Sequence, residues 1–363
     1  MAHPTVLTLD AGGTTSTFSA LREGREVVPP FTLPAEVRDL DACLAHYVAG
    51  FERARAEAGG CEAISFAFPG PADYAHGVIG ALANMPAFRE PVPLGPFLEA
   101  RFGCPVFIHN DGDLFALGEA LGGFLPEVNA ALAATGSSRR HRNLVGLTLG
   151  TGFGGGLVVN GEPLLGDNGA AGEVWLLRHR DRPDTFAEEG VSIRALRRTY
   201  GELAGLDPAE VPEPRLLADI ARGSAPGHRE AAREAFARLG RVAGEALAQV
   251  LTLVDGLAVI GGGLSGASDL FMPALLGELN GQLQSLDGRP FPRLALRAHG
   301  WDDPGDREAF LAVQTQLVPV PGSARPVPYE PLKRTAVGVS RLGTSRAAAL
   351  GAWAFAVKAL DRA

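Results

Sequence analysis

Apolar positions along this chain fall into short continuous runs, typical of buried strands, and into stripes with helical spacing. Runs at Thr5–Leu9, Ala63–Phe68 and Val106–Ile108 predict strands. Asp39–Ala58 carries an apolar stripe of helical spacing, and the alanine-rich segment Thr344–Leu360 predicts a C-terminal helix. Because strands and helices alternate along the chain, the predicted fold class is α/β.

Three of the apolar runs end in glycine-rich turns. These turns are Asp10–Thr15, Gly150–Gly156 and Gly261–Gly263. Glycine allows the backbone to approach a ligand closely, so the amides of such a turn can face a phosphate group. Two of the turns contain threonine and one contains aspartate. The set predicts a nucleotide held between two lobes.

The 363 residues favour two domains. We place an N-terminal lobe at residues 1–110, with the first phosphate turn, and expect the helix at 344–363 to join it. Residues 111–343 form the predicted C-terminal lobe with the other two turns. Segment 316–333 contains five prolines, which predicts an irregular excursion on the surface.

Composition excludes several classes of protein. Hydrophobic residues make up 46% and charged residues 20%, so the chain can bury substantial cores. A net charge of −8 argues against a nucleic-acid partner. No signal-peptide pattern precedes Thr5, and the apolar stretches are shorter than a membrane span. We therefore expect a cytoplasmic protein without a membrane partner.

The three cysteines are widely spaced, at Cys43, Cys61 and Cys104. They form no Cys-x-x-Cys pair, so neither a zinc cluster nor a disulfide framework is indicated. Structural thiols in a reducing cytosol are the interpretation that this spacing favours.

Taken together, the motifs resemble the ROK sugar kinases of the actin-like, hexokinase-type ATPase superfamily. The motifs that carry this resemblance follow the family's order: Asp10-Ala11-Gly12-Gly13-Thr14, Pro69-Gly70-Pro71, Asn84-Met85-Pro86, Asn110-Asp111, Gly118-Glu119, Gly150-Thr151-Gly152-Phe153-Gly154-Gly155, Gly172-Glu173 and Gly261-Gly262-Gly263. The resemblance implies a two-lobed actin-like ATPase (ribonuclease H-like) fold, with the active site in the cleft between the lobes.

The resemblance also implies roles for individual residues. Asp111 is the expected catalytic base, and Asp10 is expected to hold Mg²⁺ through water. The expected sugar ligands are Asn84, Asn110, Glu173 and Glu188, with Glu189 as an alternative to Glu188. The expected nucleotide-binding residues are Gly12, Gly13, Thr14, Thr15, Thr151, Gly152, Gly154 and Gly155 for the phosphates and Gly261, Gly262 and Gly263 for the adenosine.

Simpler interpretations stand beside these roles. Asp111 or Asp113 could cap the helix that begins there. Asp10 could stabilise its turn, and the second glycine turn could be only a hairpin. Glu173 leads into an apolar run and needs a polar partner, for which a sugar diol is suitable.

The sequence departs from the family pattern in two places. Leu176 stands where most members have a histidine, for which His179 is an alternative. Asp181–Thr185 replaces the cysteine-rich zinc loop, so no zinc site is expected.

The predicted activity is transfer of the γ-phosphoryl group of MgATP to a hydroxyl, the 6-hydroxyl by resemblance, of a hexose. Glucose, mannose, fructose and N-acetylhexosamines are the candidate sugars. The main alternative is a catalytically silent sugar sensor; an acetate-kinase-like enzyme is disfavoured. Polyphosphate as donor and a homodimer stay open. Only nine residues precede Asp10, which disfavours a DNA-binding regulator.

Overall fold

The computed structural model describes residues 4–12, 15–82, 85–312 and 315–362. The strands in this part of the chain are β1 (Val6–Ala11), β2 (Thr15–Arg22), β3 (Arg25–Pro34), β4 (Ala63–Ala67), β5 (Ala72–Asp73), β6 (Val78–Ile79), β7 (Val106–His109), β8 (Leu144–Leu149), β9 (Phe153–Val159), β10 (Glu162–Pro163), β11 (Leu257–Gly261), β12 (Gln282–Gln284), β13 (Pro290–Pro292), β14 (Arg297–Gly300), β15 (Gln316–Val318), β16 (Val327–Tyr329) and β17 (Arg334–Val339). The α-helices are α1 (Leu40–Ala58), α2 (Leu94–Phe102), α3 (Asp111–Gly122), α4 (Phe124–Ala134), α5 (Ile193–Ala204), α6 (Pro214–Arg222), α7 (Arg229–Val254), α8 (Ser268–Leu279), α9 (Pro304–Leu311) and α10 (Thr344–Leu360). Strands and helices alternate, as predicted.

The first sheet has the strand order β3-β2-β1-β4-β7. Strand β1 runs antiparallel to β2 and parallel to β4, and β4 runs parallel to β7. The carboxyl ends of β1, β4 and β7 therefore lie along one edge of the sheet. The predicted Asp10 turn and the Asn110-Asp111 pair follow two of these strand ends.

Helix α1 has the caps and the buried face that its sequence predicts. The Asp39 carboxylate accepts a hydrogen bond from the Ala42 amide at 2.9 Å, and Gly59 ends the helix at a φ of +76°. Tyr47 and Phe51 are buried in a cluster with the side chains of the first sheet. This packing fixes one face of the sheet and leaves its carboxyl edge for the turns.

Helices α3 and α10 pack closely through two glycines. A Cβ atom at Gly118 would lie 1.9 Å from the carbonyl oxygen of Ala347, and one at Gly351 would lie 2.0 Å from that of Leu114. Larger side chains would separate the helices, so both positions require glycine. The contact anchors α10 on the helix that begins at Asp111.

The second sheet has the strand order β10-β9-β8-β11-β17-β14. Strands β8, β11, β17 and β14 are parallel neighbours, so their carboxyl ends also share an edge. The second glycine turn follows β8 and the third follows β11. Their place at the ends of adjacent strands follows directly from this topology.

Two short hairpins lie between residues 282 and 329. Within the predicted irregular excursion, β15 pairs with β16 in an antiparallel ladder, and every residue of both strands is exposed. Upstream, β12 pairs with β13 and is likewise exposed. Pro328 lies within β16, and three of the other prolines lie in the loop between the strands. The segment is on the surface, as expected, but it contains a short antiparallel ladder that the sequence did not predict.

Contacts divide the chain into two compact units. One comprises Met1–Gly123, Gly156–Gly172 and Leu342–Ala363, and the other comprises Phe124–Gly155 and Glu173–Arg341. Helix α3 and residues 156–172 thus belong to the first unit, whereas the sequence analysis placed them in the second lobe. Helix α10 belongs to the first unit. Among the described residues, no helix has the length and apolar character required to cross a membrane.

Candidate active site

The carboxyl edge of the first sheet holds a row of residues in register. Asp10 on β1 pairs with Ala67 on β4, and Ala67 pairs with His109 on β7. Because neighbouring strands are about 4.8 Å apart, the backbone of Asp10 lies about 10 Å from that of His109. Asn110 and Asp111 follow immediately. The first unit therefore gathers two predicted site carboxylates at one edge.

The Asp10 carboxylate is held by a residue from the far end of the chain. The Ser345 hydroxyl, in the first turn of α10, donates a hydrogen bond to Oδ2 of Asp10 at 2.6 Å. The N-terminus of a helix carries a partial positive charge, which stabilises a nearby carboxylate. Sequence reasoning missed Ser345, because a Gly-Thr-Ser helix start does not indicate a contact with a residue 335 positions away.

The first phosphate turn is described only in part. The Gly12 amide donates to the carbonyl oxygen of Thr15 at 2.9 Å, which closes the turn between β1 and β2. Gly13, Thr14 and Asn84 lie outside the described residues. Their predicted roles stay predictions.

Asn110 caps helix α3. Its side-chain oxygen accepts a hydrogen bond from the Gly112 amide at 2.8 Å, and Oδ1 of Asp111 accepts from the same amide at 2.9 Å. The expectation that Asp111 or Asp113 caps the helix was wrong, because the N-cap residue is Asn110. A sugar contact by Asn110 would use its Nδ2 hydrogens, which the cap does not require. Asp111 is exposed at the start of the helix.

His109 is a structural residue of this edge. Its ring lies 3.8 Å from that of Phe355 and stacks on Tyr74, and the side chain is buried. Burial lowers the pKa of His109 to about 4. The imidazole is therefore neutral at pH 7 and packs against the aromatic rings of Tyr74 and Phe355.

The second and third glycine turns meet at the edge of the second sheet. Leu264 donates its amide hydrogen to the Leu149 carbonyl at 2.9 Å. Gly262 has a φ of +88°, and a Cβ atom there would lie 2.3 Å from that same carbonyl oxygen. Gly262 is thus required both by its backbone conformation and by the close approach of β8. The structure brings together the backbone of two predicted nucleotide turns.

Helix α5 begins against the second turn. The Ile193 amide donates to the Gly150 carbonyl at 2.8 Å, and the Ser192 side chain caps the helix. Beside Thr151, a cavity of about 690 Å³ is lined by three arginines of α5, namely Arg194, Arg197 and Arg198. All three guanidinium groups have carboxylate partners, Arg194 and Arg198 in Glu189 and Arg197 in Glu213.

Glu188 and Glu189 share Arg194 as an ion-pair partner but differ in their other contacts. Oε2 of Glu188 accepts the Phe153 amide hydrogen at 3.0 Å and so fixes the second turn. Glu189 pairs with Arg198 at 2.7 Å and with Arg194, and the hydrogen bond from Arg198 is the main cause of its lowered pKa. Of the two glutamates, Glu188 is the one that contacts the second glycine turn. Its contact with a backbone amide was not expected.

Glu173 has an indole partner. Its Oε2 accepts a hydrogen bond from Nε1 of Trp175, whose ring packs edge-on against Phe186. Val174 is buried, but Leu176 is 57% exposed, so the run after Glu173 is not the apolar strand-like segment that its letters indicate. The signal for this contact in the sequence was the position of Trp175, two residues after Glu173.

His179, the alternative to the family's histidine, supports a local turn. The ring is buried, and its Nδ1 accepts hydrogen bonds from the amides of Asp181 and Arg182. This contact organises the segment that replaces the zinc loop. In the described residues, no group of three or more His, Cys, Asp or Glu side chains is arranged to hold a metal ion.

Comparisons with known proteins find a matching family and several relatives. A model of the ROK family matches residues 6–306. N-acetyl-D-glucosamine kinase from Vibrio atlanticus is 35% identical over 47% of this chain and 51% of its own length. Glucokinase from Streptomyces coelicolor is 32% identical over 50% of this chain and 58% of its own. The chain thus spans about half the length of the curated relatives it matches.

A solved structure is similar along almost the whole chain. The crystal structure of glucokinase from Parabacteroides distasonis superposes with a TM-score of 0.87 at 49% identity, covering 98% of both chains. This likeness confirms the predicted fold class, the α/β fold of the actin-like ATPases.

Proposed function

Since this chain belongs to the ROK family, we propose that it is an ATP-dependent hexose kinase that phosphorylates the 6-hydroxyl of its sugar. The observation that carries this proposal is the 49% identity to a glucokinase over 98% of both chains. Glucose is therefore the first substrate to test. Mannose, fructose and N-acetylhexosamines follow.

Asp111 is the proposed catalytic base. A sugar hydroxyl is a weak nucleophile at pH 7, and a positioned carboxylate can accept its proton as the phosphoryl group is transferred. The side chain is exposed at the carboxyl edge of the first sheet. The Gly112 amide holds its Oδ1, which fixes the orientation of the carboxylate.

Asp10 is the proposed ligand of Mg²⁺, through water. Magnesium retains several waters and needs one or two carboxylates beside the donor's phosphates, so a single half-buried carboxylate at a phosphate turn fits it. When bound, the ion neutralises charge on the transferred phosphoryl group. The Ser345 hydroxyl occupies Oδ2 of Asp10 and thereby orients Oδ1.

The remaining proposed roles belong to the glycine turns and to two glutamates. Thr15 and the Gly12 turn are the proposed phosphate contacts of the first unit. In the second unit, the turn at Thr151–Gly155 is proposed to contact the phosphates and the turn at Gly261–Gly263 the adenosine. Glu173 is proposed as a sugar ligand that exchanges its Trp175 partner for a hydroxyl. Glu188 is proposed as a sugar ligand that also anchors the second turn.

The test is ADP release with MgATP against glucose, mannose, fructose, N-acetylglucosamine and N-acetylmannosamine, with Asp111→Ala as control. We expect sugar-dependent release that the substitution abolishes. Folded protein that binds a sugar and releases no ADP with any of them would overturn the kinase proposal and favour a sugar sensor. Sugar phosphate that forms with polyphosphate and not with ATP would replace the proposed donor.

A further inference from the structure

Two of the three cysteines lie in contact at the amino edge of the first sheet. The Sγ atoms of Cys61 and Cys104 are 4.0 Å apart. Both side chains are partly exposed, whereas Cys43 is fully buried. The pair lies outside the candidate active site, and the proposed kinase activity does not use it.

The fold itself brings this pair together. Cys61 lies between the end of α1 and β4, and Cys104 lies between the end of α2 and β7. Strands β4 and β7 are parallel neighbours, and the Ile64 amide donates to the Pro105 carbonyl at 3.0 Å. Both cysteines thus stand at the point where a helix returns into the sheet, and the sheet hydrogen bonds keep them side by side.

We propose that Cys61 and Cys104 form a disulfide when the protein meets hydrogen peroxide. A disulfide requires an Sγ–Sγ distance of about 2 Å, so the sulfurs must approach by about 2 Å from their present contact. Rotation about the Cα–Cβ bonds of two partly exposed side chains supplies a movement of this size.

A cationic side chain lies beside the pair. The Arg55 guanidinium donates a hydrogen bond to the Phe102 carbonyl at 3.3 Å, and its charge favours the thiolate form of both cysteines. The proposal takes Cys61 as the nucleophile and Cys104 as the resolving thiol, an order of attack that the variants below test.

The chemistry needs peroxide alone as oxidant. The Cys61 thiolate attacks one peroxide oxygen, the O–O bond breaks, and hydroxide leaves with the bonding pair, giving a sulfenic acid. The Cys104 sulfur then attacks the Cys61 sulfur, the S–O bond breaks, and the Cys104 proton leaves with that oxygen as water. Two thiols are oxidised by two electrons, and one peroxide is reduced.

The cross-link would join the ends of α1 and α2 at the edge of the sheet opposite the site. Strand β4 separates this edge from the carboxyl edge by about 15 Å. The link also closes a loop of the chain, which restricts the unfolded state. We expect the oxidised protein to unfold at a temperature several degrees higher than the reduced protein, and dithiothreitol to reverse the shift.

The test counts thiols in the whole protein after treatment with a small excess of hydrogen peroxide. We expect the thiols that react with Ellman's reagent under denaturing conditions to fall from three to one, and the intact mass to fall by about 2 Da. A proteolytic digest without reductant should yield a peptide pair that joins Cys61 to Cys104. A titre that stays at three, or a link that joins two chains, would overturn the proposal.

Matched variants separate this pair from general oxidation. Cys43→Ala should still close the link. Cys104→Ser should leave Cys61 as a sulfenic acid that dimedone traps, with no internal cross-link. If Cys104→Ser traps no dimedone on Cys61 while the wild-type protein forms the link, the assigned order of attack is wrong. The digest of the wild-type protein decides the pairing even where a variant fails to fold.

Discussion

The carboxyl edges of the two sheets carry predicted phosphate turns but are built in different ways. At the first edge the chemistry lies on side chains, with Asp10 held by Ser345 and Asp111 held at the start of α3. At the second edge the main contacts involve backbone groups. Gly262 lies close to the Leu149 carbonyl, and the Phe153 amide donates a hydrogen bond to Glu188. Changes of functional group should therefore damage the first edge, and an added Cβ atom should damage the second.

The largest expected effect is that of Asp111→Asn at the side-chain edge. The substitution keeps the shape of the side chain and removes the proton acceptor, so kcat should fall by at least ~10². Sugar affinity should stay near that of the wild-type protein. Tryptophan fluorescence can report the affinity, because the Trp175 indole contacts the proposed sugar ligand Glu173.

A kcat within a few-fold of the wild-type value would exclude Asp111 as the base. Trp175→Phe is the control for the fluorescence signal. It should remove the sugar-dependent change and leave turnover measurable.

The next largest effect is expected from Gly262→Ala at the backbone edge. The new Cβ atom would clash with the Leu149 carbonyl and the residue would keep a φ of +88°, so the free energy of unfolding should fall by about 2–4 kcal/mol. Urea unfolding measures this change.

Gly263→Ala is the matched control, since no atom lies within 4 Å of a Cβ atom placed there. We expect it to leave the free energy of unfolding nearly unchanged and to raise KM for MgATP through its proposed nucleotide contact. Equal stability losses in the two variants would contradict the backbone account of this edge.

A smaller effect concerns pH and compares one histidine in each unit, of which His109 is buried and His141 is partly buried. Burial lowers the pKa of His109 and of His141 to about 4, from an ordinary value of 6.5. Between these values the unfolded chain binds more protons than the folded one, so the free energy of unfolding falls as the pH falls. Replacing either histidine by phenylalanine should reduce the loss between pH 7 and pH 5 by about 1–2 kcal/mol.

Urea unfolding at the two pH values measures that loss. His109 and His141 lie in different units. If the units unfold in two separate transitions, each substitution should change only the transition of its own unit. A variant that loses as much stability as the wild-type protein would show that the histidine is not neutral when folded.

The smallest expected effect is that of Ser345→Ala. Loss of one hydrogen bond to Asp10 should raise KM for MgATP by about three- to tenfold, with KM for the sugar unchanged. Calorimetric titration of ATP with and without Mg²⁺ should show the loss only with the ion present. Ser345→Thr, which keeps the hydroxyl, should restore the affinity. An equal loss of ATP affinity without Mg²⁺ would contradict a role through Asp10.

Sequence reasoning was accurate where local pattern decides structure. The predicted helix Thr344–Leu360 has the same ends in the structure. The strand at Val106 ends one residue later than predicted, and the cap of the helix after it is Asn110 and not Asp111 or Asp113. These differences arise from a choice between neighbouring polar residues, which apolar spacing does not settle.

What the sequence did not predict depends on long-range contacts. Strand β14 has the sequence Arg-Ala-His-Gly and is placed by pairing with β17 and by hydrogen bonds with the Asn280 and Asp306 side chains. The contacts of Asp10 with Ser345 and of Glu188 with Phe153 join residues that are remote in sequence. Glycine patterns indicated where the turns lie, but not which side chains support them.

The most direct test of the central claim is to incubate the protein with glucose and MgATP and identify the products by ³¹P NMR and mass spectrometry. The account predicts glucose 6-phosphate and ADP in equal amounts, and neither product from Asp111→Ala. ADP formed equally without sugar, or a phosphate on another hydroxyl, would contradict it.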